Sequence, residues 1–320
     1  MLLLLALPVA SVPTVSLLQF LPMLPPVSPG EDAQIAVSVP GSSLSAPVYL
    51  PELQTLALID RGRQVIQTGA SSLDALPGGD DVTTQSLLAG SAIATCGGAA
   101  RTLAAVVLAD STGELTFAPR LAPLPLAGVE AVSSVTFINQ LSAARLLVGT
   151  SDGVVSLLSD EASPVPLLSG LGPEVFAACV SADESRLYLC TGSEGAQYVT
   201  LSSLNLDEGH CSAPTPLSSL PTDAGVTGIA ADVSGNLYVA CKEGVLVVDE
   251  TGDTMIRIST PLAATGVCFG GPSFSDLIVT AGDTAWSVKT NTQGVRPASP
   301  EFLKMMEKLT AAGDYRHVGW

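Results

Sequence analysis

The chain has 320 residues, and its 30 acidic and 13 basic side chains give a formal net charge of −17 at pH 7. A phosphate backbone repels such a surface, and no basic patch offsets the repulsion, so nucleic acid is excluded as a partner. Apolar residues make up 47% of the chain but aromatic residues only 4%, which predicts a core built mainly from Val, Leu, Ile and Ala.

The first thirty residues are apolar and carry no charge; the first acidic residue is Glu31 and the first basic one Arg61. The run resembles the hydrophobic part of a signal peptide without its basic start. Its six prolines argue against a membrane-spanning helix, because each removes a backbone donor. We interpret residues 1–30 as a cleavable signal peptide, which predicts a secreted or secretory-pathway protein; a cytoplasmic location is the alternative. A leader from a mis-set start codon and a segment packed on the domain are the alternatives.

Short β-favouring runs recur through residues 31–292 at intervals of 40–50 residues. Most are followed by a turn rich in Gly, Asp or Ser and then by a second apolar run, and Gly supplies the positive φ that tight hairpins need. A unit of this length with several short strands is typical of a propeller blade. We therefore predict an all-β, six-bladed β-propeller; another all-β array, such as a pair of sandwiches, is the alternative. We call the clearest apolar run of each repeat its anchor strand. The anchor strands begin at Leu56, Val106, Leu146, Leu187, Leu237 and Leu277.

The cysteines are even in number, as in exported proteins, but lack the spacing of a metal site. Cys179 and Cys190 flank one predicted turn, so they can lie near each other on adjacent strands. Burial as free thiols is the favoured interpretation for Cys179 and Cys268, which occupy equivalent places in their repeats. The chain has two histidines and no nucleophile elbow, so no sequence pattern indicates a catalytic triad.

The repeat ends after Lys289, and we predict that residues 293–320 form a C-terminal helix and tail. Ser299, Pro300 and Glu301 read as a helix cap, a first-turn proline and an acidic first turn. Gly313 ends this short helix, whose apolar side is expected to cover one end or edge of the propeller.

The stretches GIAADVSGNLYVACKEGVLVVDETG and TGVCFGGPSFSDLIVTAG, from Gly228 and Thr265 respectively, carry a family resemblance. They resemble the last blades of the senescence marker protein, gluconolactonase and luciferin-regenerating enzyme propellers. The element CFGG at 268–271 is the most specific part, and residues 34–60 resemble the opening blade. The match extends over most of 34–290 and is weak around 70–130.

The resemblance implies one divalent metal, such as calcium or zinc, at the mouth of the central channel. Its ligands would be a Glu, an Asn and an Asp at the starts of inner strands, where hard cations find oxygen donors. The metal would polarise a lactone carbonyl and activate a water. This chain departs from that ligand set at every position that aligns, with hydroxyls and one aromatic ring in its place. The replaced positions, which we predict to line a ligand-binding mouth, are Ser45, Ser133, Phe176, Thr227 and Thr265.

These departures predict a gluconolactonase-like propeller that has lost its catalytic metal and needs no cofactor. It would bind a small organic molecule or a protein at the mouth, as a monomer that is not an integral membrane protein. The alternative is an active metal-dependent lactone or ester hydrolase with relocated ligands. A third hypothesis is an interaction protein of a cell surface or secretory compartment that uses its acidic rim.

Overall fold

The computed structural model describes residues 33–50, 54–60, 64–68, 73–75, 82–88, 92–97, 103–107, 135–141, 145–150, 153–159, 162–171, 175–193, 196–221 and 224–295. Every regular element within these ranges is a β-strand. The apolar leader at 1–30 and the helix predicted from Ser299 lie outside the described residues. Among the residues described, no helix has the length and apolar character that crossing a bilayer requires.

The strands are short, as the closely spaced turn signals predict. They are β1 (Gln34–Ser38), β2 (Leu44–Leu50), β3 (Thr55–Asp60), β4 (Gln64–Thr68), β5 (Leu73–Ala75), β6 (Val82–Leu88), β7 (Ala92–Gly97), β8 (Leu103–Val107), β9 (Val135–Leu141), β10 (Arg145–Thr150), β11 (Val155–Ser159), β12 (Ala162–Leu168), β13 (Val175–Val180), β14 (Arg186–Ser193), β15 (Ala196–Asn205), β16 (His210–Cys211), β17 (Thr215–Ser219), β18 (Gly228–Ala231), β19 (Leu237–Cys241), β20 (Gly244–Val248), β21 (Thr254–Ile258), β22 (Ala264–Gly270), β23 (Asp276–Ala281) and β24 (Thr284–Lys289).

Consecutive strands pair antiparallel and form sheets of three to five strands along the chain. The orders are β2-β3-β4-β5, β6-β7-β8, β9-β10-β11-β12, β13-β14-β15-β16 with β17 also on β15, β18-β19-β20-β21, and β22-β23-β24-β1. Four of them, those that begin with β9, β13, β18 and β22, have side chains described in every strand. This all-β, propeller-like arrangement confirms the predicted fold class, while the closure into six blades and the C-terminal helix stay predictions.

The last sheet is completed by the N-terminal strand. β1 pairs with β24, with Gln34 opposite Ser287 and Ser38 opposite Thr284. The sequence comparison placed 34–60 in one opening blade, but the structure divides this segment between two sheets. The physical reason is that β24 would otherwise be an edge with unpaired backbone groups, which β1 covers. The two ends of the repeat region are thereby joined.

One of the six anchors lies in a different strand from the others. Leu56, Leu146, Leu187, Leu237 and Leu277 all belong to the second strand of their sheets, whereas Val106 lies in the third strand, β8. The second strand of that sheet is β7, with the sequence AIATCG. Its small residues make a weaker apolar pattern than those of β8, so the sequence pattern points to β8 and the prediction of the second strand at Val106 is wrong.

The core clusters of the described residues lie between neighbouring sheets, where apolar faces of adjacent sheets meet. One cluster joins the sheets of β18 and β22 to β2 and β3, and contains the fully buried Tyr238 and Leu58. A second joins the sheets of β13 and β18, and a third joins those of β9 and β13. Sheets stacked face to face in this way direct their first strands towards a shared central space.

Candidate functional site

A cavity of about 460 Å³ lies among the first strands β2, β9, β13, β18 and β22. These strands begin at one end of the cavity and finish at the other. We call the end at Ala46, Phe176, Thr227 and Gly266 the hydroxyl mouth. The end at Asp183, Glu184, Phe274 and Val295 is the acidic mouth. Strand β13 runs between the two mouths, and its first and last residues are five residue spacings apart. At the rise of a β-strand, the mouths are therefore roughly 17 Å apart.

The hydroxyl mouth contains two of the predicted positions, Phe176 and Thr227, in the wall of the cavity. Ser45 and Thr265 stand one residue back from it, and their chain neighbours Ala46 and Gly266 line the wall instead. Ser133 lies outside the described residues. The structure therefore brings Phe176 and Thr227 together in the cavity wall, with Ser45 and Thr265 next to it in the chain. The role of these positions in ligand binding stays a prediction.

The threonine hydroxyls at this mouth join one sheet to the next. Thr227 Oγ1 donates to the carbonyl of Ala264 at 2.9 Å, and Thr265 Oγ1 donates to the carbonyl of Leu44. Ala264 opens β22 and Leu44 opens β2, and both residues are buried. Each hydroxyl thus satisfies a main-chain acceptor of the following sheet, where an unpaired carbonyl would be costly.

A glycine follows each threonine and allows the first strands to approach closely. A Cβ on Gly228 would stand 3.4 Å from the Cα of Gly266. A Cβ on Gly266 would stand 2.6 Å from Pro47 Cδ and 2.9 Å from the backbone nitrogen of Ala46. The Thr-Gly pairs at 227–228 and 265–266 are therefore joints between sheets, a role that the sequence comparison did not indicate.

Residues outside the predicted set also shape the cavity. Asn139 Nδ2 on β9 donates to the carbonyl of Ala178 on β13 at 2.9 Å and makes a third joint. At the acidic mouth the rings of Tyr49 and Phe274 meet edge to face with centroids 5.7 Å apart. Val295 reaches this mouth because the chain after β24 returns to bond the carbonyl of Ala231. Long-range contacts of this kind leave no periodic signal in the sequence.

The two carboxylates of the cavity wall lie at the acidic mouth, in the turn after β13. Asp183 accepts hydrogen bonds from the hydroxyls of Ser181 and Ser185 and from the Ser185 amide. These bonds, led by that of the Ser181 hydroxyl, lower the pKa of Asp183 to about 2. Within the described ranges, no group of three or more His, Cys, Asp or Glu is placed to hold a metal ion.

Cys179 and Cys268 are also among the residues of the cavity wall, at equivalent places three residues after Phe176 and Thr265. Cys179 and Cys190 lie on the adjacent strands β13 and β14, as expected, and both are free thiols. Burial raises the pKa of Cys179, and it raises that of Cys190 and of Cys268 to about 12. At neutral pH these groups are protonated and weakly nucleophilic.

We expect Cys179, Cys190 and Cys268 to resist alkylation in the folded protein. With raised pKa values their thiolate fraction at pH 8 is small. Cys179 and Cys190 are also buried away from the reagent, whereas Cys268 is partly exposed and depends on its raised pKa alone. Iodoacetamide at pH 8, followed by peptide mass spectrometry, should label them slowly in buffer and fully in guanidinium chloride. Rapid labelling of Cys268 in the native protein would contradict this assignment.

The comparisons with known proteins agree with this architecture. Residues 176–283 match the SMP-30/Gluconolactonase/LRE-like region family model. Regucalcin of Xenopus laevis is 35% identical over 82 residues, which are 24% of this chain and 27% of that protein. The aligned segment therefore spans about a quarter of the curated relative.

Solved structures extend the likeness to most of the chain. The gluconolactonase XC5397 of Xanthomonas campestris superposes with a TM-score of 0.64 at 17% identity, covering 85% of this chain and 99% of its own. A luciferin-regenerating enzyme gives 0.65 at 16% identity, over 83% of this chain and 99% of its own. The calcium-binding protein regucalcin of Agrobacterium tumefaciens gives 0.65 at 15%, over 82% and 95%.

At these identities the structural likeness shows the fold alone. The family resemblance itself is confirmed: residues 176–283 carry an SMP-30/gluconolactonase/LRE-like region, and the chain shares the propeller fold of the gluconolactonase, luciferin-regenerating and regucalcin proteins.

Proposed function

We propose that this protein is a gluconolactonase-like propeller that has lost the divalent metal site and binds a small organic molecule in its central cavity. The observation that carries the proposal is the chemistry of the hydroxyl mouth. Where the family resemblance implies metal ligands, the described side chains are one phenyl ring and neutral hydroxyls directed at backbone carbonyls.

A divalent cation does not fit this donor set. Ca²⁺ takes six to eight oxygen ligands, among which carboxylates supply most of the charge. Phe176 has no donor atom, and the Thr227 hydroxyl points between the sheets to Ala264. Ser45 Oγ donates to the carbonyl of Ile59 in its own sheet. The nearest carboxylates in the cavity wall, Asp183 and Glu184, belong to the opposite mouth.

The cavity is well suited to an organic guest. Its volume of about 460 Å³ lies within the range of small-molecule sites. Its wall combines apolar side chains from five first strands, which can bury a ligand body, with polar groups that can orient it. A protein partner that inserts a side chain into the hydroxyl mouth is compatible with the same geometry.

We also infer that the sheets close into one ring of six blades, as the repeat length predicts. The support is the order in which the first strands touch: β2, β6, β9, β13, β18 and β22 neighbour one another in turn, and β22 neighbours β2. Strand β1, by completing the last sheet, fastens the start of the ring to its end. We also propose that the protein is exported, and the apolar leader at residues 1–30 supports this location.

The loss of the metal site is tested by metal content and by activity. Protein purified without a chelator should hold far less than one equivalent of calcium or zinc by elemental analysis. Hydrolysis of glucono-δ-lactone should not exceed the buffer rate, with or without added Ca²⁺ or Zn²⁺, and EDTA should change nothing. A matched active gluconolactonase of the same fold serves as the positive control.

A stoichiometric metal together with an EDTA-sensitive rate would sink the proposal. That outcome would favour the alternative, a lactone or ester hydrolase whose ligands come from other positions. Because the assay reads metal and turnover separately, a bound metal without turnover would still overturn the loss of the site.

A further inference from the structure

The cavity wall is electrostatically one-sided. Its described residues include two carboxylates, Asp183 and Glu184, and no Lys, Arg or His. The whole chain carries a formal charge of −17, so the surrounding field has the same sign. An anionic ligand would lose its hydration without gaining an opposite charge, whereas a cation would be attracted from solution.

Apolar and aromatic residues share the cavity wall with the carboxylates. The aromatic residues among them are Tyr49, Phe137, Phe176, Phe269 and Phe274. All but Phe176 are buried, and Phe269 is held edge to face against Tyr238 with ring centroids 4.9 Å apart. Such residues supply apolar surface for the body of a ligand, and an aromatic face that a ligand can reach also attracts an ammonium group through its quadrupole.

The acidic mouth is negatively charged near neutral pH because hydrogen bonds within its turn stabilise the ionised Asp183. The hydrogen bonds to Asp183 lower the pKa of this carboxyl to about 2, so it is ionised in neutral solution. Glu184, next in the chain, has a φ of 56°, which only a few per cent of residues other than glycine adopt. In the equivalent turn after β18 this place belongs to Gly235, with a φ of 90°.

We propose that the ligand of the cavity is a small organic cation, a single ammonium group on an apolar body. This inference rests on the proposed binding function and adds the chemical class. The apolar body would lie against the rings of the wall, and the ammonium would lie towards Glu184 at the acidic mouth. Sugar acids and other carboxylates are excluded as ligands by the same charges.

Three probes of similar size and different charge test the proposal: benzyltrimethylammonium, benzyl alcohol and phenylacetate. Isothermal titration calorimetry at low salt should give benzyltrimethylammonium an affinity about tenfold above that of benzyl alcohol, the factor that 1.4 kcal/mol represents. Phenylacetate should bind more weakly than both. Raising the salt should weaken only the cation, because a charged pair is screened.

Glu184→Gln provides the local test, with Glu208→Gln as its matched control. Glu208 is exposed, lies in the turn after β15 and is absent from the cavity wall. Glu184→Gln should lower the affinity for benzyltrimethylammonium several-fold and leave that for benzyl alcohol unchanged. Glu208→Gln should leave both unchanged, although it removes the same charge from the chain.

Each contrary result has a distinct meaning. Equal affinity for the cation and the alcohol would overturn the inference that the cavity selects a cation, and so would an equal loss of cation affinity in the two variants. Either result would still be compatible with a protein that binds a neutral ligand. Failure of the cation to bind at all would also overturn the inference. A metal-dependent lactonase rate in the earlier assay would instead overturn the proposed function, without bearing on which of the three probes binds.

Discussion

Replacing Asp232 by alanine should lower the free energy of unfolding by about 3–4 kcal/mol, the largest loss expected from a single side chain here. The carboxylate is 1% exposed and terminates β18 at the acidic mouth. It accepts hydrogen bonds from the amides of Ser234 and Asn236, at 2.8 and 2.9 Å. The Asn236 side-chain amide donates to its other oxygen at 2.7 Å.

Tyr238 makes the loss larger than that of an ordinary turn. Its hydroxyl donates to Asp232 at 3.3 Å, its side chain is fully buried, and its ring supports Phe269 in the cavity wall. Burial raises the pKa of Tyr238, and the neighbouring Asp232 raises it further, so the phenol stays a proton donor. Without the carboxylate, the buried Tyr238 hydroxyl loses this acceptor. The free-energy cost of removing the hydroxyl from water is then no longer offset by that hydrogen bond.

Asp249→Ala is the matched control, because Asp249 makes the same kind of turn at the surface. It accepts from the amides of Thr251 and Asp253 at 2.9 and 3.0 Å, and both bonds are exposed. Water can replace that carboxylate, so we expect a loss of about 1 kcal/mol. Equilibrium urea unfolding followed by tryptophan fluorescence measures both. Equal losses in the two variants would show that burial at Asp232 is not the cause.

Gly266→Ala should cost about 2–3 kcal/mol, the second largest effect. The added Cβ would stand 2.6 Å from Pro47 Cδ and 2.9 Å from the nitrogen of Ala46, which belongs to the backbone and cannot rotate away. The joint between β22 and β2 would have to open. Since Ala46 and Pro47 line the hydroxyl mouth, the same change should also weaken ligand binding in the cavity.

Gly228→Ala separates this steric effect from a general intolerance of side chains at the joints. Its Cβ would find its nearest neighbours at 3.4 Å, an ordinary contact, so we expect no loss and a gain of up to about 1 kcal/mol. The two variants differ by one methyl group at equivalent places in adjacent sheets. A loss in Gly228→Ala as large as that in Gly266→Ala would refute the assignment of the clash at Pro47.

Much of the scaffold could be predicted because its signals are local. The second strands that begin at or near Leu146, Leu187, Leu237 and Leu277 are mainly apolar runs, and those from Leu237 and Leu277 are followed by turns with a glycine at positive φ. Burial on both faces of these strands makes the pattern visible in the sequence. The second sheet was misassigned at Val106 because its true second strand, β7, is built from small residues.

Local sequence patterns were enough to predict an all-β, propeller-like fold and the resemblance to the gluconolactonase-like region, because strands, turns and repeat length are encoded by neighbouring residues. Only the tertiary structure decided that β1 completes the last sheet, that the threonines before Gly228 and Gly266 bond the next sheet, and that two carboxylates lie at the far mouth of the cavity. The pairing of β1 with β24, for example, brings together Ser38 and Thr284, which are 246 positions apart. Which main-chain oxygen a hydroxyl meets depends on how whole sheets pack, and that information is not carried by any local pattern.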